Sequence, residues 1–304
     1  MDILHVLGLN QILKTMPFKK NIYKPLIFAL LLAGAAAAEI EDPPELWFPV
    51  GEKLTYQVYW GLFPVAETSV TTEWIEEDDR LLLAIRARTK SYALLDTLYP
   101  VNDFIESVVD PETFLPLRFS KNLSEGRYRL NEITTFDHER LTAHWKHLIK
   151  TNESDFAIEA DTRDLLSFMY FMRSRKLEPN RTYTQRLMAD EKLYDLIINT
   201  KNYAKVHVSR YGSVRCLAIE PEAKFQGFFV RIGRLFLWIS DDARCLGVRA
   251  VAKAPVIGSI KLLLYKVEGP GDDAWVKFES RAGKSTSGVN TNANQSAENK
   301  SAAR

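Results

Sequence analysis

The sequence predicts a mainly β protein, a curved antiparallel sheet or open β-barrel with one amphipathic helix at about residues 161–176. Three observations carry this. Residues 45–270 hold a long succession of short segments with apolar alternation at period two. The links between them are rich in Asp, Glu, Gly and Pro, and a single segment breaks to a three-to-four period.

The first segment sets the pattern. In Leu54–Trp60, Leu54, Tyr56, Val58 and Trp60 share one face while Thr55, Gln57 and Tyr59 share the other, as a half-buried strand requires. Gly61 and Pro64 turn the chain into Ala66–Trp74. Further strands are expected at Arg80–Thr89, Asp103–Asp110, Leu117–Lys121, Tyr128–Phe136 and Leu141–Ile149. Turn chemistry separates them at Glu76–Asp79, Asp110–Thr113 and Ser124–Gly126. In Asp161–Lys176 the residues Leu165, Leu166, Met169, Tyr170 and Met172 recur at helical spacing. Asp161 or Asp164 is placed to accept the free amide protons of the first turn, and Arg173, Arg175 and Lys176 suit the negative end of the helix dipole. Pro179-Asn180 stops the helix. Strands then resume at Thr182–Leu187, Lys192–Asn199, Lys201–Arg210, Val214–Glu220, Arg231–Ser240, Cys245–Lys253 and Ser259–Glu268. Leu235–Ile239 is apolar on both faces and reads as a central strand, with Asp241–Arg244 as the turn after it. No short period recurs, which argues against solenoids and propellers. One β-rich domain over 45–270 is expected, with two smaller sheets meeting at the helix as the alternative.

The chain has 304 residues, 46% hydrophobic and 26% charged, with a formal net charge of +1. That composition can fill a core, and it lacks the basic excess of a dedicated nucleic-acid binder. Lys19, Lys20 and Lys24 precede the apolar run Pro25–Leu32, which ends in the small residues Ala33–Ala38. This is the pattern of a secretory signal peptide over residues 1–38, cleaved near Ala38/Glu39. The apolar stretch falls short of the ~20 residues that span a bilayer, so no transmembrane anchor is expected after cleavage. Met16-Pro17-Phe18-Lys19-Lys20 reads as a natural start, which makes residues 1–15 an overlong gene model. Cleavage would remove four Lys and one Asp and take the net charge from +1 to −2. The expected location is periplasmic or secreted. The tail 277–304, made of Ser, Thr, Asn, Ala and Gly, is expected to be disordered.

The search for chemistry returns little. There is no Gly-x-Ser-x-Gly, phosphate loop, Cys-x-x-Cys or His-Glu-x-x-His, so no catalytic, cofactor-binding or metal residues are assigned. His144 and His147 would point to opposite faces of a strand, as would Asp103 and Glu106. Export to an oxidising compartment makes a Cys216–Cys245 disulfide possible, against two separately buried thiols. Tyr56, Trp60, Asp103, Arg118 and Trp238 are candidates for facing a ligand, with packing or ladder roles as the alternative. A curved sheet rich in strand aromatics can leave its concave face open to an apolar or amphipathic envelope ligand. That makes a non-catalytic binding or envelope-associated protein the leading expectation. The rivals are an interaction module with a filled core, and an envelope hydrolase using Asp103 with Arg118 or a histidine from 138–147. No nucleic-acid partner is expected, and protein partners are unassigned.

A resemblance rests on several stretches in order. They are Val50–Tyr56 running to Trp60, Phe63–Glu67, Leu98–Asp103, Ser107–Asp110, Leu115–Phe119, Glu125–Tyr128, Phe136-Asp137, Asp164–Arg173 and Trp238–Asp242. Together they resemble the bacterial exported family called domain of unknown function 3108, from about Phe48 to Tyr265. Ala66 stands where that pattern has glycine, and Cys245 where it tends to have proline. The resemblance implies an exported, mainly β protein and brings no catalytic residues with it.

Overall fold

The computed structural model describes residues 43–189, 192–225, 228–230, 234–254 and 258–270. The expected signal peptide and polar tail lie outside the described residues. The first run of strands is β1 (Lys53–Trp60), β2 (Phe63–Glu77), β3 (Arg80–Ser91), β4 (Asn102–Val109), β5 (Pro116–Glu125), β6 (Tyr128–Asp137), β7 (Thr142–His147) and β8 (Glu153–Ala157). A single turn of helix, α1 (Ala93–Asp96), sits between β3 and β4, and α2 (Leu165–Met172) follows β8. The second run is β9 (Thr182–Ala189), β10 (Lys192–Val208), β11 (Gly212–Phe225), β12 (Phe228–Val230), β13 (Arg234–Ser240), β14 (Gly247–Ala254) and β15 (Gly258–Glu268).

All of them belong to one antiparallel sheet. Its order is β8-β7-β6-β5-β4-β3-β2-β1-β15-β14-β13-β11-β10-β9, with β12 paired to β11 alone. Each run is a meander of neighbouring hairpins, and β15 returns to pair with β1, from Lys53 opposite Glu268 to Trp60 opposite Ile260. The sheet is therefore continuous rather than two sheets meeting at the helix. It is not closed into a barrel, because β8 and β9 are its two edges. The chain between these edges narrows the gap: Ile158 donates to Leu141, and Arg163 makes a parallel bridge to Leu187.

The sheet must curl strongly. α2 packs against β3, β4 and β9 at once. Along the sheet β3 and β9 are eight strand spacings apart, roughly 38 Å at the usual separation, whereas a helix with its side chains is only about 10 Å across. Contact with both walls requires the sheet to wrap around the helix.

The helix is shorter and more enclosed than its sequence predicts. It runs over Leu165–Met172 rather than 161–176, and Leu166, Ser167, Phe168, Tyr170 and Met172 are all buried. One flank joins the main core with Leu83, Ile85 and Val109, while Phe168 and Met172 join a second cluster with Leu187, Tyr194 and Ile198. The helix is thus a plug between two apolar walls rather than a one-faced cover. Asp164 is the N-cap, accepting from Leu166 N at 2.8 Å and Ser167 N at 3.0 Å. Phe48 and Phe114 pack around the plug with Trp47, whose indole N–H donates to the Tyr170 carbonyl at 2.8 Å.

Other boundaries also shifted. β10 is one strand where two are expected, since a register irregularity between Thr200 and Tyr203 interrupts its alternation. β8 and β12 were not expected at all. Cys245 belongs to the turn before β14, with φ +46°, rather than to the strand.

Candidate functional site

Register assigns the sequence-predicted residues to two faces. Tyr56, Val58 and Trp60 on β1 continue through Leu262 and Ile260 on β15 and Ala250 and Ala252 on β14 to Leu235 and Leu237 on β13. This is the inner face, since Leu237 packs in the cluster that holds α2. Trp238, one residue further, has the opposite parity on β13 and packs against the main core cluster. The guanidinium of Arg249 sits 4.8 Å from the Trp238 ring centroid and Phe236 lies 6.4 Å away.

Asp103 is buried on the inner face of β4. Its carboxylate accepts from Ser124 N at 2.8 Å, and Glu125 is its hydrogen-bonding neighbour. Burial pushes the Asp103 carboxyl up to about 6, against the opposing pull of these hydrogen bonds. Beside it, burial together with the two carboxylates pushes the Tyr99 phenol up to about 12.

Arg118 stands on the other face of the sheet. Its two terminal nitrogens donate to Glu77 at 2.8 and 2.7 Å, a bidentate pair that holds the Glu77 carboxyl below its usual range. The two residues line a shallow outer groove of about 300 Å³ with Arg80 and Thr135. Arg80 is likewise engaged, donating to Asp110 at 2.8 Å.

The hydrolase pairing therefore does not assemble. Asp103 and Arg118 are separated by the sheet itself. Of the histidines, His138 contacts the Pro116 carbonyl and His144 faces Asp155 on the exposed side. His147 shares the inner face with Asp103, but β7 is three strands from β4, roughly 14 Å along the sheet. Among the described residues, no group of three or more His, Cys, Asp or Glu side chains is placed to hold a metal ion.

Cys216 and Cys245 are both free thiols in the structure. Cys216 is fully buried on β11, its Sγ donating to the Val214 carbonyl at 3.5 Å, while Cys245 donates to the Asp242 carbonyl at 3.3 Å.

Tertiary structure adds buried polar groups that sequence reasoning missed. Glu52 and Arg173 form an ion pair beside Tyr56 and Tyr170, where burial raises both phenols above their ordinary range. Lys121 and Glu132 form a second buried pair, with the Trp145 indole N–H donating to Glu132 at 3.2 Å. Nothing in the local pattern marks these charges as interior. The one available hint is that Glu52 and Arg173 each lie in a stretch that carries the family resemblance.

What remains open on the inner face is apolar. Leu235, Leu237, Ala250 and Leu262 are only half-buried there, although their faces turn inward. Beside them on the same face Val58, Ala66 and Ile260 form a small buried cluster against which Leu262 packs, and Trp60 stands half-exposed at the end of the row. The α2 plug rests on β3, β4 and β9, and on this wall of β13, β14, β15 and β1 the buried residues Val58, Ala252 and Ile260 alternate with the partly exposed ones. Its side chains can shed water onto an apolar or amphipathic guest.

An antiparallel, plugged, open sheet with an apolar inner wall defines a β-rich scaffold. The family model described as Protein of unknown function (DUF3108) matches residues 55–265, and the chain belongs to that family. No curated protein matches it. Among solved structures it is similar to a β-barrel-like protein of domain of unknown function DUF1849 from Brucella abortus. That match has 10% identity and a TM-score of 0.49, covering 72% of this chain and 97% of the other. It is also similar to a protein from Bacteroides fragilis described as exported with a YmcC-like fold, at 9% identity and TM-score 0.34, covering 73% and 97%. A protein from Parabacteroides distasonis described as a lipoprotein matches at 8% identity and TM-score 0.30, covering 73% and 98%. Among the described residues no helix is long and apolar enough to cross a membrane.

Proposed function

We propose that the protein is an exported, non-catalytic binding protein of the cell envelope. In this reading it holds an apolar or amphipathic ligand against the inner wall of β13, β14, β15 and β1. The observation that carries the reading is the partly exposed, inward-facing row Leu235, Leu237, Ala250 and Leu262 ending at the half-exposed Trp60. A wall of this kind is costly to leave in water, at about 25 cal/mol for each Å² of apolar surface. The charged n-region, short apolar run and small-residue end of residues 19–38 support export.

Native mass spectrometry of the chain purified from the periplasm of an exporting host tests this directly. Extra mass that disappears on solvent extraction is the expected result. A bare chain mass, unchanged after incubation with phospholipid or fatty acid, would overturn the binding reading in favour of an interaction module with a filled core.

A further inference from the structure

The exposed large apolar side chains gather at one place. In a meander of antiparallel strands every second link falls at the same end, so the links β1–β2, β3–β4, β5–β6 and β7–β8 form one rim. Backbone hydrogen bonds join them in turn: Tyr92 N donates to the Val65 carbonyl, Gly126 N to that of Pro100, and Leu148 N to that of Asn131. Among the described residues, six of the nine exposed large hydrophobics stand on this rim, namely Trp60, Leu62, Phe63, Leu98, Leu148 and Ile149. Leu62, Leu98 and Phe63 are 85, 80 and 76% exposed, so nothing among the described residues covers them. The six come from three separate links, which makes a shared cause at the rim more economical than three local accidents.

The charges on the rim choose the partner. Arg127, Arg129 and Lys150 are exposed there. Of the acids nearby, Asp96 accepts from Ser91 Oγ and Glu153 faces His144 and Lys146. Protruding aromatic and aliphatic side chains with basic residues between them match the interface of a bilayer that carries anionic headgroups.

We propose that this rim docks on a lipid surface, with Leu62 and Phe63 at the β1–β2 tip entering the interface and Arg127, Arg129 and Lys150 meeting anionic headgroups. Trp60 and its ladder partner Phe63 stand where the rim meets the end of the ligand wall, whereas Leu98 and Ile149 belong to other links, so Leu98→Ser/Ile149→Ser tests docking apart from the wall. Either can fail without the other.

The test is co-sedimentation of the secreted chain with vesicles of phosphatidylglycerol and phosphatidylethanolamine, beside vesicles of phosphatidylcholine alone. Binding to the anionic vesicles that weakens with added salt is expected. The double variant Leu62→Ser/Phe63→Ser should lose about tenfold or more of its partitioning, as should Leu98→Ser/Ile149→Ser. Met169→Ser, an exposed apolar position on α2, should bind as the parent does. Melting curves matching the parent show that the variants are folded. Absence of binding to anionic vesicles overturns the proposal, as does undiminished binding by Leu62→Ser/Phe63→Ser. Self-association without vesicles that the same substitutions abolish would also overturn it and give the rim to a second copy of the chain.

Discussion

Arg173, at the C-terminal end of α2, donates from Nη2 to Glu52 Oε2 across 3.1 Å, joining residues 121 apart in sequence. Its Nη1 meets the other carboxylate oxygen, and its Nε donates to the Arg244 carbonyl at 3.0 Å. The guanidinium is thereby shared among the start of β1, the plug and the turn before β14. Removing one partner strands a charge in the interior. Glu52→Ala and Arg173→Ala should each cost about 3–5 kcal/mol of stability. The double change Glu52→Leu/Arg173→Met removes both charges at similar volume and should cost less than either single change. Denaturant titration of the four proteins checks this. Additive losses would mean that the pair does not couple.

Asp164 connects the plug to the sheet in a different way. Its carboxylate caps α2 and accepts from Ser107 Oγ at 2.6 Å, with both residues fully buried. Burial wins over these hydrogen bonds and pushes the carboxyl up to about 6. Its unfolded value is about 4, so between those two values the native state binds more protons than the unfolded chain. Stability from this group is therefore fully present below pH 4 and is lost as pH rises through about 6. Asparagine keeps the capping oxygen and cannot ionise. From pH 4 to pH 7.5, the stability of Asp164→Asn relative to the parent should rise by on the order of 2 kcal/mol. A difference that does not change with pH would show that Asp164 titrates normally.

Much of this fold was legible because strands that bury one face alternate, and β1 to β7 do so visibly. β8 escaped because Glu153-Ser154-Asp155-Phe156-Ala157 is an exposed edge strand with no apolar face to maintain. The helix was legible in its period but not in its role. Met169 and Leu165 complete an apparent single stripe, yet the buried set Leu166, Phe168, Tyr170 and Met172 points to two walls. Strand parity correctly sent His144 and His147 to opposite faces, with His147 buried and His144 exposed. The candidate site was legible residue by residue but not as a set. Tyr56, Trp60 and Asp103 turn inward and Arg118 outward, while Trp238 packs against the main core from the opposite parity of β13, and only the ladder register decides that. The buried charges were illegible, because Glu52, Lys121, Glu132 and Arg173 look like surface residues until their partners arrive from other strands.

The thiols give a chemical check on the turn before β14. Burial pushes the Cys216 thiol up to about 12 and also raises that of Cys245. The thiolate is the reactive species, so at pH 8 both should be slow toward a disulfide reagent in the native state, and Cys216 slower. After denaturation without reductant, two thiols per chain should react. Zero thiols would mean that Cys216 and Cys245 are bonded and that the turn adopts another conformation.

The inner wall makes the most discriminating functional prediction, because a position there can be altered without emptying the core. Leu237 and Leu262 are half-buried, whereas Leu83 and Ile85 beneath the plug are fully buried. Replacing Leu262 with Gln adds polarity to the open wall but leaves the side chain room to reach solvent, so the melting temperature should move little. The same change at Leu83 would bury an unsatisfied amide and lower stability by several kcal/mol. If the wall holds an apolar guest, Leu262→Gln and Leu237→Gln should abolish the extractable extra mass and lower affinity for a fluorescent fatty-acid probe by about tenfold each. Vesicle docking should be unaffected, since neither side chain stands on the rim. A Leu262→Gln protein that is folded and retains full probe affinity would place the ligand elsewhere. A Leu262→Gln protein that loses as much stability as Leu83→Gln would show that this wall is core after all.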